Sequence, residues 1–186
     1  GIFARMSKES CEAELRKLLK ERIVILDGAM GTTIRGYGLD EQGARGERFG
    51  SNKKDLLNNG DILSLTQSGV IGDIHKRFFE AGADIATTNT FSATTIAQSE
   101  FFVEDPREKG VGRKDPDFFQ RIIEDAFLGD LTRELNEKSA RLCRKWADRI
   151  AEQTGARRYV AGAIGPLTVS LSQSPDAEDA GFRSVT

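Results

Sequence analysis

Hydrophobic and polar positions follow two different periods along this chain. Residues 8–22 (KESCEAELRKLLKER) put Cys11, Leu15, Leu18 and Leu19 on one helical face with charges elsewhere, and Ser7 or Ser10 is placed to cap that helix. The pattern then changes. Ile23, Val24, Ile25 and Leu26 are consecutive, apolar and mostly β-branched, which predicts a strand buried on both faces of a parallel sheet. Asp27-Gly28 ends it abruptly. Residues 34–61 are glycine-rich and charged, with few periodic apolar positions, and read as one long loop of the functional or packed-over kind. The helical period returns over residues 68–81, where Val70, Ile71, Ile74 and Phe78 are in phase and Gly82 suits the C′ position.

A second strand is predicted over residues 83–91, ending in polar residues, and a short helix over 94–102. Residues 103–117 hold many charges with Pro and Gly, and predict an exposed loop. From Phe118 to Thr154 the residues Leu128, Leu131, Leu135, Leu142, Cys143, Trp146 and Ile150 recur at helical intervals, with Gly129 as a break and Gly155 as the end. Trp146 on this stripe reads as a core residue rather than a ligand platform. A third strand over residues 159–164 closes at Gly165-Pro166, and residues 167–186 show no completed element. Alternation of strands and helices implies parallel strands with right-handed crossovers, an α/β fold. The strand ends Asp27-Gly28, Asn89-Thr90 and Gly165-Pro166 then converge on one carboxyl edge, where such folds place their chemistry.

Composition narrows the picture only a little. With 186 residues the chain suits one domain, and a net charge of −2 gives no electrostatic footprint for nucleic acid or a membrane surface. No apolar run approaches the ~20 residues of a membrane-spanning helix, and no signal-peptide core is evident. Cys11 and Cys143 lie too far apart for a metal spacing and form no disulfide framework, so they read as packed thiols in a reducing, cytoplasmic setting.

The chemical signals are few. Asp27 beside Gly28 and Gly31 offers a carboxylate for an ammonium group, next to backbone N–H groups suited to a carboxylate, a combination that fits a free amino acid. A plain Asx-type turn after a strand gives the same spacing. The stretch matches neither nucleotide-binding glycine motif. Asn89 and Thr90 bring short donors and acceptors to the same edge, as ordinary strand-end residues also do. His75 lies on a crossover helix, packed away from that edge, which argues against a triad or a histidine-held metal. Glu104, Asp105, Glu108, Arg113 and Lys114 read as solvated loop charges.

The residues themselves carry a resemblance. Residues 25–38 (ILDGAMGTTIRGYG), 45–49 (RGERF), 61–66 (DILSLT), 81–84 (AGAD), 88–92 (TNTFS), 94–98 (TTIAQ) and 160–166 (VAGAIGP) are similar, in order, to segments of the homocysteine-binding barrel of cobalamin-dependent methionine synthases. Ser174-Pro175 and residues 182–186 resemble that homocysteine S-methyltransferase family too, and only about residues 101–131 look like extra loop and helix. The resemblance implies a TIM (β/α)8 barrel present only as its N-terminal portion, about three βα units, since a full barrel takes ~250 residues. It implies an incomplete homocysteine-binding domain over 1–186: an N-terminal helix to 22, then three strands with crossovers to 166.

What the family does would follow. Zinc held by three cysteine thiolates activates the homocysteine sulfur, which takes a methyl group from methylcobalamin to give methionine. The family's Gly-Gly-Cys-Cys-Gly segment is absent here, so zinc and methylcobalamin belong to the full enzyme, and no metal ligand, catalytic residue or bound cofactor is assigned to this chain. The implied substrate-binding residues are Asp27, Gly28, Ala29, Met30, Gly31 and Thr32, with Asn89 and Thr90 as supporting wall. The implied partners are homocysteine and the folate- and cobalamin-binding modules of one polypeptide, and an open sheet edge implies self-association of the fragment. Three departures from close relatives sit near this edge: Thr87 in place of an acid, Leu167 in place of a polar residue, and the order Asn58-Asn59-Gly60-Asp61. Two other readings stay open, a homocysteine methyltransferase using betaine or S-methylmethionine, and a non-catalytic α/β binding module.

Overall fold

Three chain segments run parallel side by side, and helices pack against them. The computed structural model describes residues 8–105 and 114–185. Strand β1 (Ile85–Thr87) pairs in parallel with β2 (Tyr159–Ala161) in the register Ile85 to Tyr159, Ala86 to Val160 and Thr87 to Ala161. On the other side of β1, Leu26 makes a single parallel bridge to Ile85, extended by Ile85 N–H to Ile25 O (3.0 Å) and Asp27 N–H to Ile85 O (3.1 Å). Helix α1 (Lys8–Glu21) leads into this edge. Just after it, both Arg22 Nη atoms grip the Asp84 carboxylate at 2.7 and 2.5 Å, and Asp84 Oδ2 also accepts Ile25 N–H at 2.9 Å. These bonds hold the Asp84 carboxyl well below the usual carboxylate range.

Helices α2 (Met30–Arg35), α3 (Glu41–Arg45) and α4 (Leu63–Thr66), with a 3₁₀ turn at Gly60–Ile62, fill the chain between Leu26 and α5 (Ser68–Glu80). Beyond β1 come α6 (Thr95–Phe102), α7 (Pro116–Glu124) and the long α8 (Ala126–Thr154). The α8 stripe does what its period predicts. Cys143, Ala147 and Ile150 pack with Phe79 of α5 and Ala86 of β1, while Leu131 and Leu135 pack with Phe49, Leu56 and Ile62. Gly82 (φ 110°) and Gly155 (φ 70°) end α5 and α8 as expected. Gly72 of α5 faces Trp146 so closely that a Cβ there would lie 2.7 Å from the indole Nε1.

Several expectations are corrected. The first strand is reduced to one bridge, and it is not buried on both faces: Ile23 is 82% exposed, and Ile25 and Leu26 are also exposed. It has β1 on one side only, and no strand among the described residues pairs with its other edge. The segment over 34–61 is not one loop, because α3 and the 3₁₀ turn interrupt it. A five-residue helix is too short to stand on propensity, and α3 is held from outside: Asp40 Oδ1 caps Gly43 N–H at 2.7 Å, and Glu41 accepts from Leu56 N–H and Leu57 N–H at 2.8 Å each. Ser10 lies inside α1, and Ser7 falls outside the described residues. The helix break comes at Asp125, whose carboxylate accepts Leu128 N–H at 2.8 Å, and Gly129 runs inside α8. Lys114 is not a solvated charge, since its ammonium lies 2.9 Å from Glu100 and its side chain is largely buried, whereas Glu108 and Arg113 fall outside the described residues. The whole is an α/β arrangement, mostly helical, with two short strands described.

Candidate functional site

A cavity of about 650 Å³ opens beside the carboxyl ends of the parallel segments. Its wall comes from three places far apart in sequence: the 28–35 turn and helix, the 57–63 segment, and the end of β1 from Thr87 to Ser92. Met30, Ile34, Leu39, Leu63 and Phe101 make one side apolar, while Asn59, Asp61, Thr87, Thr88 and Asn89 bring polar groups. An apolar pocket with a few fixed polar groups is what small-molecule sites look like.

The polar side of the wall is rigid because its groups bond to one another. Asn89 Nδ2 donates to Gly60 O at 2.8 Å and Ser64 Oγ at 3.1 Å, and Ser139 of α8 donates to Ser64 Oγ (2.8 Å) and Asn89 O (3.1 Å). Asn59 and Gln98 exchange amide bonds at 2.8 and 3.2 Å. Asp61 accepts Ser92 N–H at 2.9 Å, and Phe91 N–H as well. Burial nevertheless drives the Asp61 carboxyl up to about 6, because these bonds do not replace its lost hydration. Thr90 Oγ1 donates to Ala163 O at 2.8 Å, tying the end of β1 to the chain beyond β2. Gly165 closes that junction. Its N–H donates to Phe91 O at 3.1 Å, and a Cβ there would overlap the Phe91 carbonyl and ring.

Of the residues singled out in sequence, Gly28, Met30, Gly31 and Asn89 line the cavity. Asp27, Ala29, Thr32 and Thr90 do not contribute to its lining. Asp27 is exposed, and its Oδ1 accepts the N–H of the next residue, Gly28, at 2.7 Å, whereas an Asx turn would take the N–H two residues on. The departure residue Thr87 is in the wall. The departure segment Asn58-Asn59-Gly60-Asp61 is in the wall as well, while sequence reasoning missed Arg35 as a wall residue. His75 stays outside the site. It is 1% exposed on α5, its Nε2 has no partner among the described residues, and burial pushes its imidazole down to about 4.

The zinc of the family resemblance does not fit the residues described. Among them no three of His, Cys, Asp and Glu are placed to share an ion. Cys143 is buried beneath α8, its thiol pushed up to about 12 by burial and directed at Ala86 O, so it is not the thiolate that zinc needs. No helix of the described residues is long and apolar enough to cross a membrane.

Comparison with known proteins bears on the same region. The chain is similar in structure to the metallated form of the homocysteine methyltransferase MmuM from Escherichia coli, with a TM-score of 0.53 and 20% identity over 82% of this chain and 41% of that one. The oxidized form of the same enzyme matches with a TM-score of 0.53 and 22% identity over 82% and 40% of the respective chains. This chain therefore spans about two-fifths of the length of those relatives, and the likeness is one of fold. Residues 24–185, which include every residue lining the cavity, match the homocysteine S-methyltransferase family, and the chain belongs to that family.

Proposed function

We propose that this chain supplies the amino-acid-holding part of a homocysteine S-methyltransferase. The observation that carries the reading is the wall of the cavity: Gly28, Met30 and Gly31, which follow Asp27, and the end of β1 meet there, at the carboxyl ends of parallel segments. In this reading Asp27, which stands next to the lining residue Gly28 but not in the lining itself, pairs with the substrate ammonium through Oδ2, which has no protein partner among the described residues, and the backbone from Gly28 to Thr32 takes the carboxylate. Asn89 and Thr90 hold the wall, and the apolar side takes the aliphatic chain and sulfur. Activation of that sulfur is not assigned to residues of this chain. The finer reading is that zinc, and methylcobalamin presented by further modules of the same polypeptide, complete a methionine synthase built on a TIM barrel. It is supported by the ordered similarity of residues 25–38, 88–92 and 160–166.

Calorimetry with homocysteine tests the site. Asp27→Ala is expected to weaken binding about tenfold, the loss of one charge-assisted bond, with an unchanged circular dichroism spectrum. Equal affinity of the variant and the parent would refute the role of Asp27. The donor is tested in the full-length protein: turnover with methylcobalamin and none with betaine or S-methylmethionine is the expected result.

A further inference from the structure

The cavity wall contains two ionisable side chains, Arg35 and Asp61. Asp61 is spent, because its carboxylate is buried and accepts the N–H groups of Phe91 and Ser92. Arg35 is the opposite case. It is exposed, it closes α2, and its guanidinium has no carboxylate, carbonyl or ring partner among the described residues. One turn earlier on the same helix face stands Gly31, where even a Cβ would meet nothing within 4 Å. Arg35 and Gly31 both line the cavity, and no side chain, that of Arg35 included, comes within 4 Å of the Cβ position at Gly31, so the space beside this part of the wall is open. The free charge in the wall is thus a planar double donor at the mouth of a largely apolar pocket. That is a recognition element for a carboxylate.

We propose that Arg35 is a specificity-determining residue of this cavity, selecting ligands that carry a carboxylate by a two-pronged ion pair at the α2 side of the mouth. The inference rests on the reading of the cavity as an amino-acid site, and it adds a side chain to the carboxylate contact given above to the backbone from Gly28 to Thr32, without depending on which sulfur compound occupies the cavity. Arg35 holds and orients the ligand and takes no part in bond making. Selection works by difference: a ligand without the carboxylate leaves the guanidinium hydrated and gains nothing from it.

The test pairs ligand and residue. Homocysteine, aminopropanethiol (the same skeleton without the carboxylate) and butyrate are titrated into the full chain. Heteronuclear NMR follows the Arg35 Nε–H and the amides of Gly31 and Asn89. In the parent chain homocysteine and butyrate are expected to shift the Arg35 Nε–H, and homocysteine to bind about ten- to hundredfold tighter than aminopropanethiol. Arg35→Gln is expected to erase that preference while leaving aminopropanethiol binding unchanged, and Arg35→Lys to restore part of it. If butyrate engages Arg35 but homocysteine does not bind, the methyltransferase reading fails and the carboxylate site stands. If neither carboxylate shifts the Arg35 Nε–H, or if Arg35→Gln keeps the full preference, the proposal is overturned.

Discussion

Burial drives the Asp61 carboxyl up to about 6 and the His75 imidazole down to about 4, and the two shifts act on stability with opposite sign. Through that window a folded Asp61 holds a proton that the unfolded chain has released, so its contribution falls as pH rises. His75 is neutral in the fold while the unfolded chain binds a proton, so its contribution rises as pH rises. Each shift corresponds to about 3 kcal/mol across the window, and the contributions of these two groups are therefore expected to offset each other between about pH 4 and 6. The variants separate the two. With Asp61→Asn, acidification should destabilise the protein, and with His75→Gln it should stabilise it. Urea midpoints measured along the pH range check this, and parallel profiles for parent and both variants would contradict it. Asp61→Asn carries a further cost, since an amide oxygen cannot serve the Phe91 and Ser92 N–H groups as a carboxylate does.

At the scale of elements, the most extensive helix contact is the one between α5 and α8, and Gly72 lies in it against Trp146. A Cβ at Gly72 would press on the Trp146 indole, so Gly72→Ala is expected to lower stability by about 1–2 kcal/mol, overpacking outweighing the gain in helix propensity. Trp146→Phe in the same chain should recover most of that loss in a chemical denaturation series. These elements were legible in the sequence because their period is sustained: α1, α5 and α8 lie where the apolar spacing puts them. The strands were legible in place and direction but not in extent. Ile23 to Leu26 has the composition of a doubly buried strand, yet strand character needs neighbours, and it has one. The wall of the cavity was half legible. Gly28, Gly31 and Asn89 sit at strand ends, which sequence can find. Arg35 sits on the six-residue α2, and Asp61 on a 3₁₀ turn held by distant bonds, those of Asn89 to Gly60 O and of Ser92 N–H to Asp61, and no local pattern announces those.

At the scale of the whole molecule, the sheet has two unequal edges, and apolar side chains near both are exposed: Ile23, ahead of the bridge at Leu26, is 82% exposed, and Ile164, beyond the end of β2, is 94% exposed. Unpaired parallel edges of this kind invite pairing with another chain. The chain is expected to show a scattering mass that rises with concentration, and Ile23→Lys combined with Ile164→Lys should hold it at the monomer value. A parent chain that stays monomeric at every concentration would count against this. The register of β1 and β2 has a consequence in time as well. Ile85 must wait for Tyr159, about 70 residues further along, which at about 5–20 residues per second of synthesis is several seconds. For that interval α5 and β1 exist without the strand and the long helix that cover Phe79 and Ala86. A nascent chain halted anywhere between residues 88 and 158 is thus the form of this protein most exposed to chaperones and proteases.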